Sequence, residues 1–184
     1  MTENPASVVD ADAFTVTRTV RIQAPVDKVW SAVTKPEHIS QWFGRIELDG
    51  SGPGARGTIF FEGYPPTPVI VEHVDAPRSV SYRWGQEDTS TVFTFTLAAL
   101  ADGTQLTVEE SGFERSAAPA EEMADHAGGW VSELDELVVF AERSEGRRRS
   151  SPSSLRSGTR PGGACWRRWV RGTPPRPPSP SASR

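Results

Sequence analysis

Cysteine is nearly absent from this sequence of 184 residues, because Cys165 is the only one. A single cysteine cannot form an intrachain disulfide, and nothing in the cysteine content points to an oxidising compartment. The sequence also lacks an apolar run long enough to span a bilayer, and its first 14 residues resemble no signal peptide. These absences predict a cytoplasmic protein whose fold depends on an ordinary hydrophobic core.

Positive charge is scarce in the first 142 residues of the chain, and negative charge is scarce in the remaining 42. Residues 1–142 carry 9 Lys and Arg against 23 Asp and Glu, a net charge of −14. Residues 143–184 carry 11 Arg against one Glu, a net charge of +10. We therefore expect a flexible amino terminus over residues 1–12, one folded domain over residues 13–142, and a separate tail over residues 143–184.

The tail has almost no residues suited to a core. Of its 42 residues, 32 are Arg, Ser, Pro or Gly, and it contains no Ile, Phe, Tyr, Met, Lys or Asp. This composition predicts disorder. The segments "EGRRRSSPSS" and "CWRRWVRG" also suit an arginine arm for nucleic acid or anionic lipid, and arginine-rich sequence without lysine is typical of GC-rich DNA translated in a shifted frame. We expect contact with nucleic acid, if there is any, through this tail alone.

The folded part begins with a strand pattern, in which Phe14, Val16, Arg18, Val20 and Ile22 alternate with polar residues. Short segments rich in β-branched and aromatic residues follow between Gly and Pro clusters: "GTIFFEG", "PVIVEHVDAP", "RSVSYRWG", "STVFTFTLAAL" and "GTQLTVEESGF". The Asp-Gly pair at 102–103 predicts a tight antiparallel hairpin between the last two segments.

Three helices are predicted. Pro25 begins one over "PVDKVWSAVT", and Pro36 begins a second over "KPEHISQWFG", which stops at Gly44. The third carries one apolar stripe, formed by Trp130, Leu134, Leu137, Val138 and Ala141. The order of elements predicts an α+β fold, with the long helix across a curved antiparallel sheet of about six to seven strands.

Two adjacent glycines, Gly128 and Gly129, precede Trp130 at the start of this stripe. Glycine in a helix interior costs roughly 1 kcal/mol against alanine, so the pair needs a reason. Either the glycines leave space above the sheet, or they mark the true start of the helix.

Four stretches together carry a resemblance to a known family: "RTVRIQAPVDKVWSAVTKPEHISQWFG", "VEHVDAPRSVSYRWG", "GTQLTVEESGF" and "GGWVSELDEL". In order and spacing, they resemble the START-like (SRPBCC) helix-grip superfamily. The particular family is similar to the C-terminal domain of the activator of the 90-kDa heat-shock protein ATPase. The resemblance covers roughly residues 13 to 142 and leaves the tail outside.

The resemblance implies a sheet that grips the long helix around a cavity for an apolar or amphipathic small molecule. Polyketide cyclases and lipid carriers also belong to the superfamily, so the fold alone assigns no reaction. Three functions stay open. They are non-catalytic binding of a hydrophobic ligand, a cyclase or hydrolase acting on a polyketide-like substrate, and a module that binds a chaperone or a transcriptional regulator.

Glu110 is the candidate acid or base if the protein is an enzyme. Strand alternation places Phe93, Phe95 and Leu97 on one face, and Leu106, Val108 and Glu110 on one face of the neighbouring strand. If these faces are concave, Glu110 points inward, with a raised pKa. Alternatively, a bulge near Gly112 turns it to solvent. Relatives often hold a histidine here, in a motif that resembles "HSGF".

The candidate ligand-binding residues are mostly aromatic, and Tyr82 would supply a polar handle. They are Trp42, Phe43, Phe61, Tyr82, Trp84, Phe95, Glu110 and Trp130. Trp42 and Tyr82 could equally be core residues, and core packing is the expected role of Trp30 and Trp130.

No metal or other cofactor is expected. His38, His73 and His126 are scattered without the spacing of metal ligands. The glycine-rich stretch "DGSGPGARG" precedes a predicted strand, so we interpret it as a hairpin loop and not as a phosphate-binding loop.

Overall fold

The structure of the protein, a computed structural model, describes residues 4–143. Eight antiparallel strands form one curved sheet in the order β1-β2-β8-β7-β6-β5-β4-β3. The strands are β1 (Val8–Asp10), β2 (Thr15–Ile22), β3 (Arg45–Leu48), β4 (Arg56–Phe60), β5 (Thr67–Asp75), β6 (Ser79–Trp84), β7 (Thr91–Leu100) and β8 (Gly103–Ser111). Three α-helices accompany them: α1 (Val26–Thr34), α2 (Pro36–Trp42) and α3 (Pro119–Glu142). The predicted α+β helix-grip fold is confirmed.

The register of β7 and β8 decides which side chains face the helix. The two strands form the hairpin predicted at Asp102-Gly103, with Leu100 opposite Gly103 and Phe93 opposite Glu110. Along β8, Leu106, Val108 and Glu110 are buried. Alternate residues of both strands therefore line the concave face, and Glu110 is one of them.

The long helix α3 covers this concave face. Trp130, Leu134, Leu137 and Ala141 are fully buried, as the apolar stripe predicts. The helix begins at Pro119, so Gly128 and Gly129 lie inside it. The interpretation that the glycines mark the helix start is therefore wrong. The periodic pattern of the sequence is weak before Trp130, although the helix already runs there for three turns.

Two short edge strands were not among the predicted elements. β1 lies within the amino-terminal segment that we expected to be flexible, and β3 follows directly after α2. Three or four residues carry too little alternation to be distinguished from a loop. The sheet therefore has eight strands instead of six to seven.

The core lies between the sheet, α3 and the two short helices. Its largest buried side chains include Trp84, Trp130, Phe95 and Phe113. In the described part of the chain, no helix is long and apolar enough to cross a membrane. The arginine-rich tail lies outside the described residues.

Candidate functional site

An apolar cavity lies between α2, the edge strand β3 with its neighbour β4, and the central strands β6 and β7. Its volume, counted as space for the centre of a water molecule, is about 10 Å³. Eight residues line it: Ile39, Trp42, Phe43, Ile46, Ile59, Tyr82, Phe93 and Phe95. The wall exposes only apolar atoms, and the space is close to the smallest that holds one water. We call it the α2 cavity.

The polar atoms of two cavity residues point away from the cavity, toward the end of α1. The Tyr82 hydroxyl donates to Val33 O at 2.8 Å, and Trp42 Nε1 donates to Ala32 O at 2.9 Å. Carbonyls in the last turn of a helix lack intrahelical donors, so these two side chains satisfy the end of α1. Burial raises the pKa of the Tyr82 hydroxyl, which stays protonated and remains a donor.

A cluster of polar side chains is buried beside the cavity, around Glu110. Oε1 of Glu110 accepts from Thr91 Oγ1 at 2.5 Å and from Trp84 Nε1 at 2.9 Å. Oε2 accepts from Trp130 Nε1 at 2.7 Å and is 2.9 Å from His126 Nδ1. An ionised carboxylate has no proton to give, so His126 Nδ1 carries the hydrogen of this bond. We call these five residues the Glu110 cluster.

The carboxylate of Glu110 is ionised despite its full burial. Burial raises the pKa of Glu110, but the charge of His126 and the hydrogen bonds from His126, Thr91 and Trp84 outweigh it, and the pKa lies below its usual value. The expectation of a raised pKa is therefore wrong. That expectation rested on the apolar surroundings of the carboxylate and did not include the four donors that bind it.

The Glu110 cluster and the α2 cavity are joined through aromatic rings. Trp130 lies parallel to Phe43, with ring centroids 5.8 Å apart. Trp84 contacts Phe43 at 5.7 Å and Phe93 at 5.4 Å between centroids. Phe43 and Phe93 line the cavity, so the two indoles that bind Glu110 also support the cavity wall.

A buried arginine on the neighbouring strand β2 also binds α3 to the concave face of the sheet. Arg18 of β2 donates through Nη1 to Trp130 O at 2.8 Å and Val131 O at 2.5 Å, and through Nη2 to Asp135 at 2.7 Å. The arginine is 3% exposed, while the Asp135 side chain is 59% exposed. α3 is thus bound to the sheet at two points, by Arg18 on β2 and by Glu110 on β8.

The structure divides the eight predicted site residues between these two neighbouring features. Trp42, Phe43, Tyr82 and Phe95 line the α2 cavity, whereas Trp84, Glu110 and Trp130 belong to the Glu110 cluster. Phe61 is partly buried and contacts Phe43 with a centroid distance of 5.4 Å. All eight therefore belong to one region, but only half of them face the cavity.

Sequence reasoning missed several residues of this region: Ile39, Ile46 and Ile59 in the cavity wall, Thr91 and His126 in the cluster, and Arg18. A signal existed for Arg18, since it occupies an inward position of the alternating pattern of β2. His126 was considered only as a metal ligand. Within residues 4–143, no group of three or more His, Cys, Asp or Glu side chains is arranged to hold a metal ion.

Comparison with known protein families identifies the family of this chain. A family model described as "Activator of Hsp90 ATPase homolog 1-like protein" matches residues 23–142. The chain belongs to this family. The resemblance drawn from the four sequence stretches is thus confirmed. No protein with a curated function matches the chain.

Solved structures share the fold of this activator-like chain. DynU16, a protein in the dynemicin biosynthetic locus, is 30% identical with a TM-score of 0.59, over 70% of this chain and 47% of DynU16. The chain thus spans about half of DynU16. CalU16 from Micromonospora echinospora is 26% identical with a TM-score of 0.60, over 79% of each chain.

A more distant neighbour is the Aha1 dimer from Colwellia psychrerythraea. It is 18% identical with a TM-score of 0.60, over 72% of this chain and 98% of the neighbour. At this identity, the likeness shows the fold alone.

Proposed function

We propose that this activator-like protein binds a small apolar or aromatic molecule in the α2 cavity, and that it binds or carries the molecule without transforming it. The observation that carries the proposal is the wholly apolar wall of an interior cavity whose residues come from α2, β3, β4, β6 and β7. Of the predicted ligand-binding residues, Trp42, Phe43, Tyr82 and Phe95 form the proposed wall together with Ile39, Ile46, Ile59 and Phe93. We infer that Phe61, Trp84, Glu110 and Trp130 support this wall from outside the cavity.

The cavity must widen to admit such a ligand, because its present space holds about one water. Its cover is α2, a helix of seven residues. Its polar contacts with the rest of the fold include Trp42 Nε1 to Ala32 O and Ile46 N to Ser40 Oγ at 3.1 Å. We infer that this short helix, next to the edge strand β3, moves more easily than the strands of the wall, because its movement breaks no hydrogen bonds between strands.

The hydrogen bond of Tyr82 favours a ligand that has no hydrogen-bonding group where it contacts the Tyr82 ring. Its hydroxyl is engaged by Val33 O, and a ligand that took this donor would leave a buried carbonyl without its partner. Tyr82 therefore contributes its ring to the site and not a polar handle. DynU16, which the chain resembles, belongs to a biosynthetic locus, and this is consistent with a small-molecule role.

The geometry of Glu110 argues against its use as an acid or base. Each carboxylate oxygen already accepts two hydrogen bonds, which fill the four lone-pair directions. A substrate would have to displace at least one of these donors before it could exchange a proton. A cyclase or hydrolase reaction through Glu110 is therefore the weaker proposal.

The isoleucines of the chain offer a direct test. Ile39, Ile46 and Ile59 line the α2 cavity, while Ile22 and Ile70 do not and serve as controls within the same protein. Methyl NMR of the full chain is followed during titration with N-phenyl-1-naphthylamine, a neutral aromatic probe. Saturable shifts at the three cavity isoleucines, without shifts at the other two, would support the proposal. A titration in which all five methyls respond alike, or none responds, would contradict it.

A second candidate is a protein-interaction module, whose partner would be a chaperone, a transcriptional regulator or a second copy of this chain. The small volume of the cavity favours this alternative, since ligand pockets usually enclose about 300 Å³ or more. Light scattering of the purified chain tests the self-association form. A monomer at all accessible concentrations would eliminate it.

A further inference from the structure

Glu110 does not line the α2 cavity, although it is fully buried beside it. Its carboxylate binds Trp84 and Trp130, whose indole nitrogens lie 2.9 Å and 2.7 Å from its two oxygens. These two indoles come from different elements, β6 and α3. One carboxylate therefore holds together the sheet side and the helix side of the same aromatic wall.

The two indoles in turn fix the cavity residue Phe43. Trp130 lies parallel to Phe43, with an interplanar angle of 1°, and Trp84 contacts the same ring at a tilt of 41°. Phe43 directly follows α2 and closes one side of the cavity. Phe43 cannot swing toward either indole while both are bound to Glu110, because close-packed rings leave no free volume for that movement.

We propose that Glu110 is a positioning residue that keeps the α2 cavity closed, by holding the Trp84 and Trp130 indoles against Phe43. The inference rests on the proposed function of the cavity and adds a control on access to it. A ligand enters when α2 moves and Phe43 turns into the space of one of the two indoles, and this turn requires that indole to leave the carboxylate.

The substitution Glu110→Gln separates this role from simple packing, because it preserves the shape of the side chain. The amide nitrogen must take the place of one oxygen, next to Trp84 in one orientation and next to Trp130 in the other. Threonine can rotate its hydroxyl to accept from the amide, but an indole N–H is only a donor. One indole N–H therefore always faces an amide nitrogen and loses its bond to residue 110. Trp84 Nε1 keeps Thr91 Oγ1 as an acceptor at 2.8 Å, but it is then no longer held to the side chain that binds Trp130. In either orientation, the link between the two indoles is broken.

The test measures binding of N-phenyl-1-naphthylamine by fluorescence in the full chain and in three variants. Glu110→Gln should bind the probe with an apparent Kd about tenfold lower than that of the unmodified chain, because the open form is more populated. Glu109→Gln makes the same charge change at the neighbouring, exposed position and should leave binding unchanged. Thr104→Val removes a different buried hydrogen bond of β8, to Ala24 O at 2.8 Å, and controls for lost stability alone.

The comparison with Thr104→Val decides the interpretation. Equal probe binding by folded Glu110→Gln and the unmodified chain would overturn the positioning role while leaving the proposed binding function intact. Equal increases in Glu110→Gln and Thr104→Val would overturn it too, since general loosening would explain both. Failure of every form to bind the probe would overturn both proposals.

A measurement on the unmodified chain keeps the inference testable if Glu110→Gln does not fold. Binding and cluster opening are coupled reciprocally, so the probe should accelerate hydrogen exchange of the Trp84 or Trp130 indole N–H. Trp30, which lies on α1 outside the cavity wall, serves as the reference. Indole exchange rates that stay constant up to saturation with the probe would overturn the inference.

Discussion

The Glu110 cluster and the α2 cavity are neighbours that are built on opposite principles. In the cluster, one buried carboxylate accepts four hydrogen bonds from side chains of two strands and one helix, so every donor has a defined place. In the cavity, the wall is apolar and the polar atoms of Trp42 and Tyr82 are turned away from it. The first arrangement fixes geometry, and the second tolerates small displacements.

Because of this difference, we expect mutations in the two regions to have different effects on stability. Removing a partner from a buried charged group leaves unsatisfied polar atoms, which costs far more than the hydrogen bond contributes on balance. Changing an apolar wall costs only the lost contacts and the space created. We therefore expect the cluster to dominate stability and the cavity to dominate ligand binding.

The largest expected effect is on the cluster. Glu110→Gln should lower the free energy of unfolding by about 3 kcal/mol, because the buried donors lose the charge of the carboxylate and one indole N–H faces an amide nitrogen. Urea unfolding followed by circular dichroism measures this loss. The control Glu109→Gln, on the exposed face of the same strand, should stay within about 0.5 kcal/mol. Similar losses in the two variants would show that the cluster is not the stabilising feature.

Acid should weaken the cluster in the unmodified chain. The pKa of Glu110 lies below its ordinary value of 4.5 in the folded protein, so ionisation stabilises the fold. This contribution is complete above the unfolded value of 4.5 and is lost as the pH falls through the lower folded pKa. Urea midpoints measured from about pH 7 down to about pH 3 should fall more steeply for the unmodified chain than for Glu110→Gln. Parallel curves would contradict the assignment.

The second attachment of α3 should matter somewhat less. Arg18→Met keeps the aliphatic stem but removes the donors to Trp130 O, Val131 O and Asp135, at an expected cost of about 2 kcal/mol. Arg21→Met, three residues along β2, breaks only the exposed ion pair with Asp102 and should change stability little. Thermal unfolding of both variants makes the comparison, and an equal shift in the two midpoints would refute the buried role of Arg18.

The smallest expected effect lies at the cavity. Tyr82→Phe removes the hydroxyl that donates to Val33 O and should cost about 1 kcal/mol. Binding of N-phenyl-1-naphthylamine should persist, since the ring contact remains. Tyr64→Phe, at the other tyrosine of the chain, is the control for loss of a hydroxyl. If Tyr82→Phe abolishes probe binding, the hydroxyl is a ligand contact after all.

Much of the fold follows from local patterns. The alternation in β2, the Asp102-Gly103 turn, Pro25 and Pro36 at the helix starts, and the stripe from Trp130 to Ala141 are all realised. These features depend on residues close together in the sequence. The short strands β1 and β3 were missed because their own composition does not mark them as strands. They are strands because they pair with β2 and β4.

The candidate site was predictable only in part. Alternation along β8 correctly placed Glu110 on the buried face. Its partners Trp84, Thr91, His126 and Trp130 lie 16 to 26 positions away along the chain, and nothing local marks them as partners. Without these donors, the pKa of a buried carboxylate is expected to rise, and for this reason the predicted direction was wrong.

By itself, the sequence determined the order of the elements, their buried faces and the family, because periodicity and motif spacing are properties of the chain. Only the tertiary structure decided that Glu110 is ionised and fully bonded, that the hydroxyl of Tyr82 belongs to α1, and that the α2 cavity holds about one water. The physical reason is that solvation, hydrogen bonding and free volume at a buried atom depend on neighbours from several distant segments, which meet only once the sheet has closed around α3.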